Sequence, residues 1–175
     1  MRTKTTGATY LLLGVILAAF VAVLVAVMRT TSASAQGTTV ALLQPVVALV
    51  ALTAIVALMM GVYRNVAVIR RLTSQRYFQA FNAEQPPEWV ERPARAYMNL
   101  LELPVLFYVV CLLMLTTGKF DVVQVSLAWL FVLTRSVHAF IHIAFNYVPI
   151  RFVAFVAGVI TLAVIWTRFA AQNLN

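Results

Sequence analysis

A single cysteine, Cys111, in 175 residues excludes an internal disulfide and any multi-cysteine metal site, and it leaves the redox compartment open. Charge is scarce as well. Only 10% of the residues are charged, where soluble proteins carry about a quarter. Acidic residues are the rarest of these, five against thirteen Lys and Arg, for a net charge of +8. The chain has no Gly-rich phosphate loop, nucleophile elbow or H-E-x-x-H helix, so nucleotide-binding and hydrolase readings have no support. No ten-residue alternation recurs, which argues against a transmembrane barrel, and there is no internal repeat. What the chain has in excess is hydrophobicity: 63% of residues, with a mean hydropathy of +0.93. That excludes a disordered chain and a disulfide scaffold, and points to an integral membrane protein rather than a soluble globule. Nucleic acid is not an expected partner, because no basic run is interleaved with aromatics in an exposed segment; the excess of Lys and Arg reads instead as the loops of a membrane chain.

Crossing the hydrocarbon takes roughly 20 apolar residues in a helix. Five stretches qualify: Tyr10 to Met28, Ala41 to Val62, Tyr97 to Leu115, Val122 to Ala144 and Ile150 to Phe169. The one long polar connection, Arg64 to Arg95, is broken by Pro86-Pro87, so the preceding helix is expected to run on to about Tyr77 and a new one to start near Glu88. With the amino terminus in the cytoplasm, nine Lys and Arg fall inside and three (Arg29, Lys119, Arg168) outside, with Arg135 left within a span. That bias predicts a cytoplasmic amino terminus, in a bacterial inner membrane if the source is bacterial. The first stretch has two readings. Arg2 and Lys4, an apolar run and Ala33-Ser34-Ala35 resemble a secretory signal, but the run is longer than usual and Arg29 interrupts the approach, which favours an uncleaved helix. The expected organisation is an amino-terminal helix and linker over 1–38 and a membrane domain over 39–175.

Ionisable residues inside a span need a partner or a purpose. Arg92, Arg95, Asn99 and Glu102 fall within an arc of about 80° on a helix, a polar stripe entering the third stretch from its cytoplasmic end. The bland reading is a snorkelling Arg pair, with Asn99 and Glu102 as interhelical glue. Glu102, two turns inside, should meet a cation, with Arg95 or Arg135 favoured. In the fourth stretch Arg135, His138, His142 and Asn146 likewise share about 80°. The two histidines have the i, i+4 spacing of metal ligands, but no third ligand lies on that helix and Arg135 repels a cation, so no metal is expected and interhelical hydrogen bonds are the commoner use. Arg151 follows Pro149 at the start of the last helix, where a cation beside free backbone N–H groups favours an anion; snorkelling is its bland alternative. Small residues such as Ala48, Ala51 and Gly158 would let helices of neighbouring subunits approach.

Arg92-Pro-Ala-Arg95-Ala-Tyr-Met-Asn99-Leu-Leu-Glu102 resembles the R-x-x-R-A-x-x-N-x-x-E signature of MAPEG proteins, the membrane-associated proteins in eicosanoid and glutathione metabolism. The resemblance continues through Arg135-Ser-Val-His138 and Pro149-Ile-Arg151, and it covers roughly Thr39 to Asn175. It implies an all-α integral membrane fold: a four-transmembrane-helix bundle of MAPEG type, here with one extra amino-terminal hydrophobic helix. It also implies a homotrimer that binds glutathione as co-substrate between subunits. Carried over, Arg95, Asn99 and Glu102 would hold glutathione, with Glu102 on its amino group and Arg95 on a carboxylate. Arg92, Arg135, His138 and His142 join the candidate binding set, and Arg151 would stabilise the thiolate as the catalytic residue. The family's glutathione-positioning tyrosines are replaced here by His142 and Phe155, and Phe152 stands where some members carry a hydroxyl. Two functions follow: a glutathione-dependent transferase or peroxidase acting on lipophilic electrophiles, or a non-catalytic scaffold in which the stripes lock helices together. The expected partners are the bilayer, further copies of the chain and a lipophilic small molecule, with a larger membrane complex left open.

Overall fold

The computed structural model describes residues 37–80 and 85–174, together with positions 14–15, 17–22 and 25–26 of the first apolar stretch and position 29 just beyond it, which are helical. The Ala33-Ser34-Ala35 site, Arg2, Lys4 and the ends of that first stretch lie outside the described residues. Among the described residues the regular structure is all helix: α1 (Thr39–Ile69), α2 (Gln75–Ala80), α3 (Glu88–Thr117), α4 (Val122–Ala144) and α5 (Val148–Asn173). The four long ones, α1, α3, α4 and α5, are long and apolar enough to cross a membrane.

Local chemistry accounts for most helix ends. Thr38 caps α1, its hydroxyl accepting from the Ala41 N–H at 3.3 Å. Gly118 closes α3 in the left-handed region (φ 65°), where a side chain would be strained. Asp121 opens α4 with a reciprocal capping box: its carboxylate accepts from the Gln124 N–H at 2.9 Å while the Gln124 amide oxygen accepts from the Asp121 N–H at 3.1 Å. Pro45, Pro93 and Pro104 sit inside helices without ending them. All three are buried against neighbouring helices, the setting in which membrane helices tolerate proline.

One boundary departs from the sequence expectation. The helix before the polar connection does not run to Tyr77; it stops at Ile69, and α2 is a separate short helix. The N–H groups of Arg70, Arg71 and Leu72 fold back onto the Val66, Val68 and Ala67 carbonyls, with Arg71 at φ 57°. Thr73 and Ser74 follow, residue types that favour turns over helix interiors.

In the bundle α1 packs on α3 and α4 packs on α5, while α4 also touches α1 and α3. The core runs through Leu42, Leu49 and Val56 of α1, Phe107 and Met114 of α3, Leu127 and Phe131 of α4 and Ile165 of α5. Phe107 and Phe131 stack with centroids 4.8 Å apart. The exterior is also apolar: Val47, Leu58, Leu112, Leu133 and Phe140 are exposed. An apolar outside over buried charge on α4 is the inverse of a water-soluble bundle and fits a lipid surrounding.

Candidate functional site

The start of α3, the end of α4 and the start of α5 converge at one end of the bundle, and hydrogen bonds join all three. Glu88 Oε1 accepts from Arg92 Nε at 3.3 Å, one turn along α3, and from Asn146 Nδ2 at 2.7 Å, across to the α4–α5 connection. Arg92 Nη1 donates to the Ala144 carbonyl at 3.2 Å. Asn146 closes α4 in the left-handed region (φ 49°), with its N–H on the Ile141 carbonyl at 2.7 Å. Asn tolerates that conformation better than most side-chain-bearing residues. The turn aims its amide oxygen at Arg151, whose Nη1 donates to it.

Arg151 also contacts His142 Nε2 at 3.3 Å. A guanidinium can only donate, so that histidine nitrogen is the acceptor. Both groups holding Arg151 are therefore neutral, and among the described residues no carboxylate pairs with it. One turn deeper, His138 Nδ1 lies 3.1 Å from the backbone carbonyl of Arg151, which fixes the proton on Nδ1. Asn99, His138 and Arg151 then share the wall of a cavity of about 200 Å³ with Val148, Phe152 and Phe155. One half of that wall is polar and cationic, the other apolar and aromatic.

Arg135 lies deeper still and is 1% exposed. Its Nη2 donates to the Ala154 and Phe155 carbonyls, each at 3.2 Å, and its guanidinium carbon sits 5.7 Å and 5.4 Å from the Phe131 and Phe155 ring centres. Gly158 makes room for it: a Cβ there would come within 2.9 Å of Arg135 Cζ and Nε. Gly158 thus serves a contact inside the chain rather than the approach of a neighbouring subunit.

The sequence-selected residues divide into two groups. Asn99, His138 and Arg151 meet at the cavity, and His142 and Arg92 adjoin it through the hydrogen-bond network. Arg95 and Glu102 do not join them. Both side chains are exposed, and among the described residues neither makes a hydrogen bond or ion pair. The expected Glu102 pairing with Arg95 or Arg135 is therefore absent within the chain. Arg135 is turned toward α5, and Arg95 lies two turns from Glu102 on the same helix. Two residues were not singled out as site residues, Glu88 and Asn146. The available signals were the i, i+4 spacing of Glu88 to Arg92 and the position of Asn146 at the foot of the α4 stripe just before Pro149. Among the described residues no group of three or more His, Cys, Asp or Glu could hold a metal.

The MAPEG family model matches the chain over residues 42–171, a span that takes in nearly all of α1, α3, α4 and α5. None of the curated proteins and none of the solved structures matches it.

Proposed function

The chain belongs to the MAPEG family, whose members share an involvement with glutathione, and from that premise we propose that it is a glutathione-dependent membrane transferase or peroxidase acting on lipophilic electrophiles. One observation carries the reading: Arg151 presents a guanidinium held only by neutral acceptors to a cavity whose other side is aromatic. An uncompensated cation beside a low-dielectric wall favours an anion, and a thiolate is the anion this chemistry requires. A free thiol with a pKa of about 8.5 is only a few per cent ionised at neutral pH, and an adjacent Arg raises that fraction. The thiolate attacks an electrophile dissolved in the bilayer; carbon–sulfur bond formation and departure of the leaving group follow.

Asn99 and Arg151 hold the thiol end, and Glu102 and Arg95 take the amino and carboxylate groups of glutathione. Those two exposed charges lie along a helix with an apolar surface, where each costs about 2.5–3.5 kcal/mol if left facing lipid. A neighbouring copy covers them in the assembly we propose, a homotrimer with the site between subunits. In the same reading the Arg-rich connection and the Arg151 end face the cytoplasm, the membrane is a bacterial inner one, and 1–38 adds a helix outside the catalytic domain.

A second reading, a non-catalytic scaffold, is favoured by one specific feature. The Glu88–Asn146–Arg151 chain and the Arg135 carbonyl bonds already tie α3, α4 and α5 together without a ligand. Calorimetric titration of the detergent-solubilised protein with glutathione, followed by assay against a hydrophobic aryl halide, separates the two. The transferase binds and turns over. A protein that binds no glutathione and conjugates none of several lipophilic electrophiles is the scaffold.

A further inference from the structure

From Thr39 to Ala80 the chain carries four arginines, Arg64, Arg70, Arg71 and Arg76, and no acidic residue. Among the described residues none of the four forms an ion pair, and Glu88 and Glu91 of α3 pair with none of them. Their depth in the membrane follows from α1. That helix carries no charge before Arg64, so the first guanidinium marks the end of the hydrocarbon. Tyr63 and Trp89 meet edge to face at that level, with ring centroids 5.6 Å apart, and amphipathic rings of this kind settle among lipid headgroups.

The break after Ile69 brings α2 back beside the end of α1 and leaves a cavity of about 310 Å³ between them. Arg64, Asn65 and Val68 line it from α1, and Gln75, Phe78 and Gln79 from α2. Arg64 is held against Phe78, its Cζ 5.1 Å from the ring centre. Of its nitrogens only Nε is buried and unpaired; the two Nη atoms make no hydrogen bond among the described residues and keep accessible surface. Gln75 and Gln79 are exposed and add amide N–H donors. Exposed apolar side chains, Val62, Ile69 and Leu72, lie along the same stretch. Snorkelling accounts for exposed arginines at a membrane surface, but not for a guanidinium fixed on an aromatic ring in the wall of a cavity. We infer that this cavity binds the phosphate of an anionic phospholipid. Arg64 and the two glutamine amides take the phosphate oxygens, the acyl chains lie along exposed residues such as Val62, and Arg70, Arg71 and Arg76 supply the attraction for negative headgroups. A free phosphate ion would use the same donors; the apolar residues beside them select an amphiphile. The site is separate from the glutathione reading, because α1 and α2 contribute nothing to the Arg151 cavity.

The test titrates the full chain in detergent with phosphatidylglycerol or with zwitterionic phosphatidylcholine and counts bound lipid by native mass spectrometry. Phosphatidylglycerol should be retained in preference, and inorganic phosphate at millimolar concentration should not displace it. Arg64→Gln should weaken its binding about fivefold, the share of one guanidinium near an anionic surface. Gln75→Ala combined with Gln79→Ala, on the opposite wall, should also weaken it, and this variant carries the test if Arg64→Gln does not fold. Lys119→Gln, beyond the far end of α3, should leave it unchanged. Equal retention of the two lipids, or binding indifferent to both cavity variants, would overturn the inference. Displacement by inorganic phosphate would make this a site for a soluble anion instead, and a loss in Lys119→Gln as large as in Arg64→Gln would reduce it to general charge attraction; either result overturns the inference too.

Discussion

At the Asp121 end of the α4–α5 pair a carboxylate meets a guanidinium at 2.7 Å, with Gln172 Nε2 on the same oxygen at 3.0 Å. At the other end Arg151 is held only by an amide oxygen and a histidine nitrogen, and deeper between the two helices Arg135 is held only by two backbone carbonyls. The same two helices are thus pinned at one end by opposite charges and at the other by neutral acceptors. The difference is chemical. A matched pair has little left to offer a ligand, so Asp121 and Arg168 act as a staple between the start of α4 and the end of α5. Arg151, hydrogen-bonded but not matched in charge, keeps most of its attraction for an anion, and that is what a thiolate site needs. Counting charged residues does not distinguish the two ends; what partners each charge does.

The comparison can be broken most severely at Arg151. Arg151→Ala leaves the buried His142 Nε2 and the Asn146 amide oxygen without their donor, a cost of about 1–3 kcal/mol read as a modest fall in the melting temperature, and should lower glutathione-dependent turnover on the order of 10²–10³-fold, near the loss of one strong transition-state donor. Arg151→Lys keeps the charge without the planar fork and should retain part of the rate. Turnover indifferent to both substitutions would show that this end is another staple.

The converse experiment is Asp121→Ala, which removes the cap and leaves Arg168 unpaired. Because Arg168 is 22% exposed, the cost should sit at the low end for a broken buried pair, about 3 kcal/mol, read as a fall in the melting temperature with glutathione affinity unchanged. An unmoved melting temperature would mean that the staple contributes nothing.

Gly158→Ala tests the deep cation between the two ends. The new methyl group meets Arg135, which cannot swing aside because Phe131, Phe155 and two carbonyls enclose it. Overpacking of this kind costs about 1–3 kcal/mol. Gly158→Ala paired with Arg135→Leu should recover part of that loss, and a double variant no more stable than the single would disconnect the two residues.

The smallest stability effect belongs to Glu102→Gln. With no ionic partner within the chain, the change removes a lipid-facing charge and should leave an isolated subunit no less stable, while glutathione affinity falls because a carboxylate partner for the amino group is gone. A large fall in the melting temperature of the assembled protein would place Glu102 in a charge pair across the subunit boundary instead.

Much of this was legible in the sequence for identifiable reasons. The four described spans follow from apolar length alone, since a helix must satisfy its own backbone in hydrocarbon and little else competes. The Val122 to Ala144 helix has the limits its sequence suggests, because Asp121 and Gln124 form a capping box at one end and Asn146 adopts a left-handed turn just beyond the other. The stripes were equally readable, because helical periodicity places Arg135, His138 and His142 on one face whatever packs against it. The break at Arg70–Ser74 was not, since it depends on three backbone N–H groups folding back without a Gly or Pro to mark the place.

Pairing within the site was decided only by tertiary structure. Sequence could say that Glu102 and Arg135 each needed a partner, and opposite charge made them the natural pair. The fold instead turns Arg135 toward the α5 carbonyls, through the gap left by Gly158, and leaves Glu102 on an outer face. It likewise gives His138 a backbone partner thirteen residues away and makes Asn146 the link between Glu88 and Arg151. The physical reason is range. Hydropathy and helical period act along the chain and are written in it, whereas a hydrogen bond or ion pair depends on ångström-scale distances between helices, which only their packing sets.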